Sequence, residues 1–237
     1  MRKVVASYRD HSFYDVPNKY EPDQMTTEFT PDVTNIRSIA KYRRKAKIYD
    51  STIGGTNSIR NRTIAKLGLQ QGDVVLDVGC GSGVSLELLL REVGTGGTVF
   101  GFDQSPEMLE LAQQKRDLQG WSNVHLQEGF AEAVQFSAPL NAILFHYTHD
   151  ILQSPRAIQN ILTQAAPGAR VAIAGMKNFA WWTGPLTLLS FFKNHAWNGN
   201  PKGLWQPWRH IRPQLEHYEQ SSTHFGMGYI ASGRLVK

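Results

Sequence analysis

The chain has 237 residues, 41% hydrophobic and 19% charged, with a formal net charge of +5: long enough for one domain with a full core. The lone cysteine, Cys80, excludes an internal disulfide framework. No apolar run reaches the roughly 20 residues of a membrane span and no signal-type stretch opens the chain, so a cytoplasmic location is expected.

Residues 1–35 are polar, with Pro17, Pro22 and Pro31 scattered through them, and read as an arm or as a cover that orders over ligand. A helix is predicted from Ile36 to Ser51, with Tyr42 and Tyr49 on one face. Its basic residues Lys41, Arg43, Arg44, Lys45 and Lys47 read as a solvated face rather than a nucleic-acid site. After a break at Ile53–Asn57, a second helix over Ser58–Leu67 carries Arg60 and Arg62, which either stay in solvent or pair with a ligand carboxylate. Residues 1–69 thus form a helical cap or arm.

Val74–Val78 is an apolar run with β-branched members, the signature of a buried strand. Gly79, Gly81 and Gly83 follow it, and apolar residues then resume at helical spacing with Val84, Leu86, Leu89 and Leu90. The dinucleotide fingerprint requires glycine at position 84, where Val84 stands, so NAD and FAD are disfavoured. A second strand, Thr98–Phe102, leads into Asp103, twenty residues past Gly83, where a carboxylate can accept from both hydroxyls of a ribose. Ser105 and Pro106 then suit the start of a helix reaching about Gln119.

The stretch Asp77 to Gly83 and the string Gly101-Phe102-Asp103-Gln104-Ser105-Pro106-Glu107-Met108-Leu109 resemble motifs I and II of the class I S-adenosylmethionine-dependent methyltransferases. The resemblance implies an α/β Rossmann-like sandwich: a mostly parallel seven-stranded sheet with a C-terminal antiparallel hairpin. It implies S-adenosyl-L-methionine as cofactor, S-adenosyl-L-homocysteine as product, and Asp77, Gly79, Gly81, Gly83, Asp103 and Gln104 at the donor. Tyr49 resembles the aromatic that many members place over the donor's methionine end, and it suits core packing equally well.

A third strand is predicted over Asn123–Glu128, followed by Gly129-Phe130-Ala131-Glu132. Family members commonly carry Gly-Asp-Ala there, the acid accepting from the adenine amino group. With Phe130 in its place, the base is expected to stack on Phe130 beside Ala131 or to reach Glu128 or Glu132. Leu140–Phe145 reads as strand four and opens into His146-Tyr147-Thr148-His149-Asp150. A helix from Pro155 to about Ala166, a fifth strand over Arg170–Ala174, and a hairpin of Glu216–Ser222 with Gly228–Leu235 complete the core. That core spans residues 70–177 and 214–237. The insertion between them, 178–213, holds Trp181, Trp182, Trp197, Trp205 and Trp208. It reads as a substrate cover with Trp181, Trp182, Trp205 and Trp208 as walls, against plain packing or peripheral membrane contact.

Transfer from a sulfonium donor is an in-line displacement, accelerated chiefly by placing the nucleophile on line. His146 and His149 are candidate bases, with Asp150 as orienter, Tyr147 as hydrogen-bond donor, and His146 also touching the donor. Structural roles for the histidines are the plainer alternative. No metal-binding set is expected, because Asp150 with Met176-Lys177-Asn178 is a poor one. The core is similar to quinone-biosynthesis and natural-product methyltransferases, which implies a small, partly apolar or aromatic acceptor. Tyr49-Asp50, Gly54-Gly55 and Arg60-Asn61-Arg62 also resemble bacterial phospholipid N-methyltransferases. Lipid head-group methylation, aminocarboxypropyl transfer and a non-enzymatic ligand-sensing module are the alternatives, with monomer and homodimer both open.

Overall fold

The computed structural model of the protein describes residues 57–179 and 201–236. The predicted helix over Ile36–Ser51, and with it Tyr49, lies outside the described residues, as do Trp181, Trp182 and Trp197. Seven strands form one sheet: β1 (Val74–Val78), β2 (Thr98–Asp103), β3 (Val124–Glu128), β4 (Leu140–His146), β5 (Ala165–Met176), β6 (Leu215–Thr223) and β7 (Gly228–Leu235), in the order β3-β2-β1-β4-β5-β7-β6. The first five are parallel; β7 runs antiparallel to β5, and β6 antiparallel to β7. This is the expected mostly parallel sheet with a closing hairpin.

Parallel strands need both faces covered, and side-chain alternation decides what each face meets. From β1, Leu76 and Val78 join Ile143, Phe145, Val171 and Ile173 against Ile158 and Ile161 of α5 (Pro155–Thr163). Val75 points the other way, with Leu144 and Ala172. There it meets Ile64 and Leu67 of α1 (Asn57–Leu67), Leu86, Leu89 and Val93 of α2 (Leu86–Val93), and Ala112 of α3 (Pro106–Gln119). By the same alternation Asp77 faces the α1 side, a carboxyl inside an apolar layer. One further short helix, α4 (His149–Leu152), follows β4.

Two boundaries differ from the sequence reading. Helix α5 stops at Thr163, and β5 begins at Ala165 rather than Arg170. Leu140 pairs with Ala165 but Ala142 with Arg170, so the extra residues, including Pro167 and a left-handed Gly168, ride in an irregularity of the ladder. At the lower edge of the sheet Arg170 ties β5 to the chain before β1, through Asp73 at 2.5 Å and the Gly68 carbonyl at 2.6 Å.

The chain passes from β1 outward to β2 and β3, then returns to β4 on the other side of β1. In open α/β sheets that reversal leaves a crevice at the carboxyl ends of the strands. Gly83 closes the turn above β1. Its φ is +76°, and a Cβ there would stand 2.7 Å from Leu86 Cδ1 and 3.0 Å from Ala112 Cβ. Gly83→Ala is therefore expected to cost at least about 2 kcal/mol in urea unfolding. Gly96→Ala, where nothing lies within 4 Å, should stay within about 0.5 kcal/mol of wild type. Equal midpoints for the two variants would contradict this packing.

Candidate active site

The cavity at the switch point is walled by three stretches: Gly79 and Gly81 after β1; Phe102, Asp103, Gln104 and Met108 from the end of β2 into α3; and His146 to Ile151 after β4. Gly129, Ala131 and Glu132 close it beyond β3. Gly79 has φ +60°, and a Cβ on it would lie 2.9 Å from Thr148 Cγ2, so only glycine lets the first and third walls approach.

Asp103 fastens the first wall to the second. Its Oδ2 accepts from the Gly81 N–H at 2.9 Å and its Oδ1 from the Ser105 N–H at 2.9 Å, while the Cys80 N–H donates to the Phe102 carbonyl at 2.9 Å. Burial raises the Asp103 pKa, and the N–H groups of Ser105 and Gly81 oppose that rise. The Gln104 N–H also donates to this carboxylate, so three backbone donors occupy three of its four acceptor positions and one remains for a ribose hydroxyl. Ser105 occupies the predicted N-cap position with Pro106 after it, but its hydroxyl donates to Glu107 at 3.0 Å instead of capping. Cys80 is buried against Gly101, and burial drives its thiol pKa up, which fits packing rather than thiol chemistry.

Beneath the turn, Asp77 is 2% exposed and its Oδ2 has no hydrogen-bond partner among the described residues. Burial pushes its pKa up to about 7; the Arg60 charge works against the rise and the Asp103 charge with it. Arg60 itself is buried in α1, its guanidinium donating to Asn57 Oδ1 at 2.7 Å. His146, on the same sheet face by alternation, is lowered to about 3 by burial and by the neighbouring Arg60 and His149. Its imidazole is neutral at physiological pH, and its Nε2 has no partner among the described residues.

The stretch after β4 is bent sharply. Tyr147 takes a left-handed φ of +61° while its N–H bonds the Ala174 carbonyl at 2.8 Å, and its ring meets those of His146 and His149 edge-on. His149 is buried over Gly175, and its Nε2 accepts from the Met176 N–H at 3.3 Å. That bond occupies the lone pair of the neutral ring and places its proton on Nδ1. His149 thus ties the third wall to the end of β5. Asp150 lines the cavity beside it.

Of the predicted donor residues, Gly79, Gly81, Asp103, Gln104, Ala131 and His146 are brought together on the wall. Asp77 and Gly83 lie behind it, as charge and as packing. Phe130 is not among the lining residues: its carbonyl caps a turn by accepting from Ala133 and Val134, and Ala131 and Glu132 face the cavity in its stead. Trp208 packs edge-on against buried Tyr229, with ring centroids 4.9 Å apart, and Trp205 is 38% exposed; neither lines the cavity. Sequence reasoning passed over Phe102, Met108, Thr148 and Ile151 as wall residues. Met108 was legible in principle, since one turn into α3 it faces back to Gly81. Among the described residues no group of three or more His, Cys, Asp or Glu side chains could hold a metal ion, and no helix is long and apolar enough to cross a membrane.

A doubly wound sheet whose switch-point crevice combines a glycine turn with an acid at the end of β2 defines a nucleoside-binding α/β domain. Residues 69–217 match the family described as "Methyltransferase domain", and the chain belongs to it, among the class I S-adenosylmethionine-dependent methyltransferases. A 142-residue stretch is 30% identical to the chloroplastic 2-phytyl-1,4-beta-naphthoquinone methyltransferase of Arabidopsis thaliana, over 56% of this chain and 54% of that protein. The chain spans 54 to 64% of the length of the first curated relatives it matches.

Among solved structures, N-methyltransferase NodS of Bradyrhizobium japonicum in complex with S-adenosyl-L-homocysteine superposes with a TM-score of 0.61 at 14% identity, over 84% of this chain and 99% of that one. The [4+2]-cyclase SpnF superposes at 0.66 and 16% identity, over 87% and 98%. These likenesses carry the fold alone, and a fold can host more than one chemistry. S-adenosyl-L-methionine is the cofactor of the family. The residues present fit it: a cradle that a Cβ would fill, a carboxylate with an acceptor position left over, and the buried Asp77 Oδ2 and His146 Nε2, which have no partner among the described residues.

The Asp77 shift has a stability consequence with a definite sign. The folded protein holds this proton to about pH 7, against an ordinary value of 3.8, so Asp77 costs stability increasingly as pH rises between the two. In Asp77→Asn that cost is absent. The stability advantage of the variant is expected to widen by about 1–3 kcal/mol from pH 5 to pH 8 in thermal unfolding without ligand. An advantage independent of pH would contradict the buried, partly protonated carboxyl.

Proposed function

We propose that the protein transfers the methyl group of S-adenosyl-L-methionine to a small, partly apolar or aromatic acceptor. The cofactor supplies an activated methyl on a sulfonium. Gly79 and Gly81 would let it lie against the backbone, Asp103 would accept from a ribose hydroxyl, and Gln104, Met108 and Ala131 would flank its base. Tyr147 and His146, at the mouth of β4, would border the acceptor. His149 is read as a positioning residue, since its Nε2 is committed to the Met176 N–H.

The observation that carries the acceptor class is the placing of His146 on the cavity wall, its Nε2 without a partner among the described residues and its pKa lowered by burial. An imidazole held to about 3 is a weak proton acceptor at neutral pH, so it would orient a substrate by hydrogen bonding rather than strip a proton from an unactivated alcohol. That favours acceptors already nucleophilic: an amine, an acidic phenol, or the electron-rich carbon of a hydroquinone. The naming of curated relatives as naphthoquinone methyltransferases points the same way. With a hydroquinone carbon as acceptor, the ring would take the methyl from the sulfonium, the bonding electron pair would stay on sulfur, and the ring proton would leave to solvent.

Incubation with S-adenosyl-L-methionine and a reduced 1,4-naphthoquinone is expected to release S-adenosyl-L-homocysteine with a methylated product. Release of methylthioadenosine would mean transfer of the aminocarboxypropyl arm, and no release with hydroquinone, phenol or amine acceptors would favour a ligand-sensing module. Asp103→Ala is expected to weaken binding of S-adenosyl-L-methionine by about 1.5–3 kcal/mol, the worth of charge-assisted hydrogen bonds. Unchanged affinity would remove Asp103 from the ribose role.

A further inference from the structure

Three buried side-chain polar atoms around the crevice have no partner among the described residues: Asp77 Oδ2 on β1, and His146 Nε2 and Thr148 Oγ1 at the carboxyl end of β4. Leaving a buried hydroxyl unbonded is costly, and in the wall of a binding cavity a ligand is what removes the cost. Asp77 lies behind the wall and His146 borders the acceptor. Thr148 is the one of the three with no task yet.

Thr148 stands at the N-cap position of α4, where a threonine ordinarily accepts from an N–H of the first turn, yet its side chain makes no capping bond. Its methyl is packed over Gly79, with Cγ2 2.9 Å from where a Cβ on that glycine would stand, so contact fixes the rotamer. The residue before it, Tyr147, holds a left-handed φ of +61°. A bulky residue keeps that conformation only where its surroundings impose it, and such sites cluster where ligands bind.

The place of Thr148 along the crevice decides which part of a bound S-adenosyl-L-methionine it meets. The strand order is β3-β2-β1-β4, with neighbouring strands about 5 Å apart. With the ribose at Asp103 on β2, the base lies outward over β3, where Gly129, Ala131 and Glu132 close the cavity. Sulfur and its other substituents then lie inward, over β1 and β4. The unpartnered atoms gather at that inner end, so the group received there is polar, and the Asp77 carboxyl suits one that carries positive charge. We propose that the Thr148 hydroxyl hydrogen-bonds the charged α-amino-acid end of the cofactor's aminocarboxypropyl arm and holds that arm over β1 and β4. This assignment rests on the methyltransferase reading and deepens it. A sulfonium has three substituents; with the adenosyl group held at β2 and β3 and the arm at Thr148, the methyl is the one left to face the acceptor. Fixing the arm therefore serves methyl transfer and opposes transfer of the arm itself.

The test is calorimetric titration of the full chain as wild type, Thr148→Val and Thr148→Ser with three ligands: S-adenosyl-L-methionine, S-adenosyl-L-homocysteine, and methylthioadenosine, which lacks the α-amino-acid end. Valine keeps the methyl over Gly79 and removes only the hydroxyl. Thr148→Val is expected to bind the first two ligands about tenfold more weakly than wild type, the loss of a hydrogen bond to a charged group, and methylthioadenosine within about twofold. Thr148→Ser, which keeps the hydroxyl, should bind S-adenosyl-L-methionine within about threefold of wild type. Without ligand, Thr148→Val should unfold at the wild-type temperature or above it, since the hydroxyl makes no bond in the folded chain. An equal loss on methylthioadenosine, a loss confined to S-adenosyl-L-methionine, which would put the hydroxyl at the sulfonium, or a lowered unfolding temperature would each overturn the assignment. A wild type that binds none of the three ligands would overturn the proposed function along with it. A wild type that binds all three, matched by Thr148→Val on each, would overturn the role of Thr148 alone.

Discussion

The Asp103 carboxylate holds two chain reversals in place at once. Through the Gly81 N–H it fixes the turn above β1, and through the Ser105 N–H it starts α3, so the first two walls of the cavity are set by one side chain. Everything else at the site is built against that joint. Gly79 brings the Thr148 methyl close, Met108 reaches back to Gly81 from α3, and His149 anchors the third wall to β5. The carboxyl is partly buried while doing this, which is costly in isolation and is offset by the backbone donors it collects.

Burial also governs the charges beneath the turn. Arg60, Asp77 and His146 share the α1 side of the sheet, and their protonation follows from desolvation first and from one another second. The arrangement leaves a neutral imidazole at the cavity and a carboxyl close to its titration point behind it. A cationic ligand is the kind of occupant that would relieve such a carboxyl, since an opposite charge nearby favours its ionised form.

The core elements were legible because each carries its own period and punctuation. Six β strands that match to within one residue at either end, the Gly79–Gly83 turn and the Ser105–Pro106 helix start are written in consecutive residues, and the structure places them as expected. Where sequence reading misplaced a boundary, at Thr163 and Ala165, a proline and a glycine that usually end elements sit inside a ladder irregularity instead. The site was legible only as far as it is local. His146 and Asp103 were found because each ends a strand, but the lone pair of His149 is committed to a residue 27 positions away, a pairing that exists only after β5 has docked. Phe130 was expected against adenine because it replaces a residue type; the turn that follows β3 presents Ala131 and Glu132 to the cavity instead.

The chain belongs to the methyltransferase-domain family, whose cofactor is S-adenosyl-L-methionine, and the proposed function seats that cofactor, rather than a dinucleotide, in the switch-point crevice against Asp103. Val84 in place of the third dinucleotide glycine underlies the second half of that claim, and the acceptor position that Asp103 keeps free of backbone donors the first. Calorimetric titration of the full chain with S-adenosyl-L-methionine and, separately, with NADH tests it most directly. Saturable one-site binding of the first without the second is the predicted result. Binding of NADH, or of neither, would contradict the account of the site.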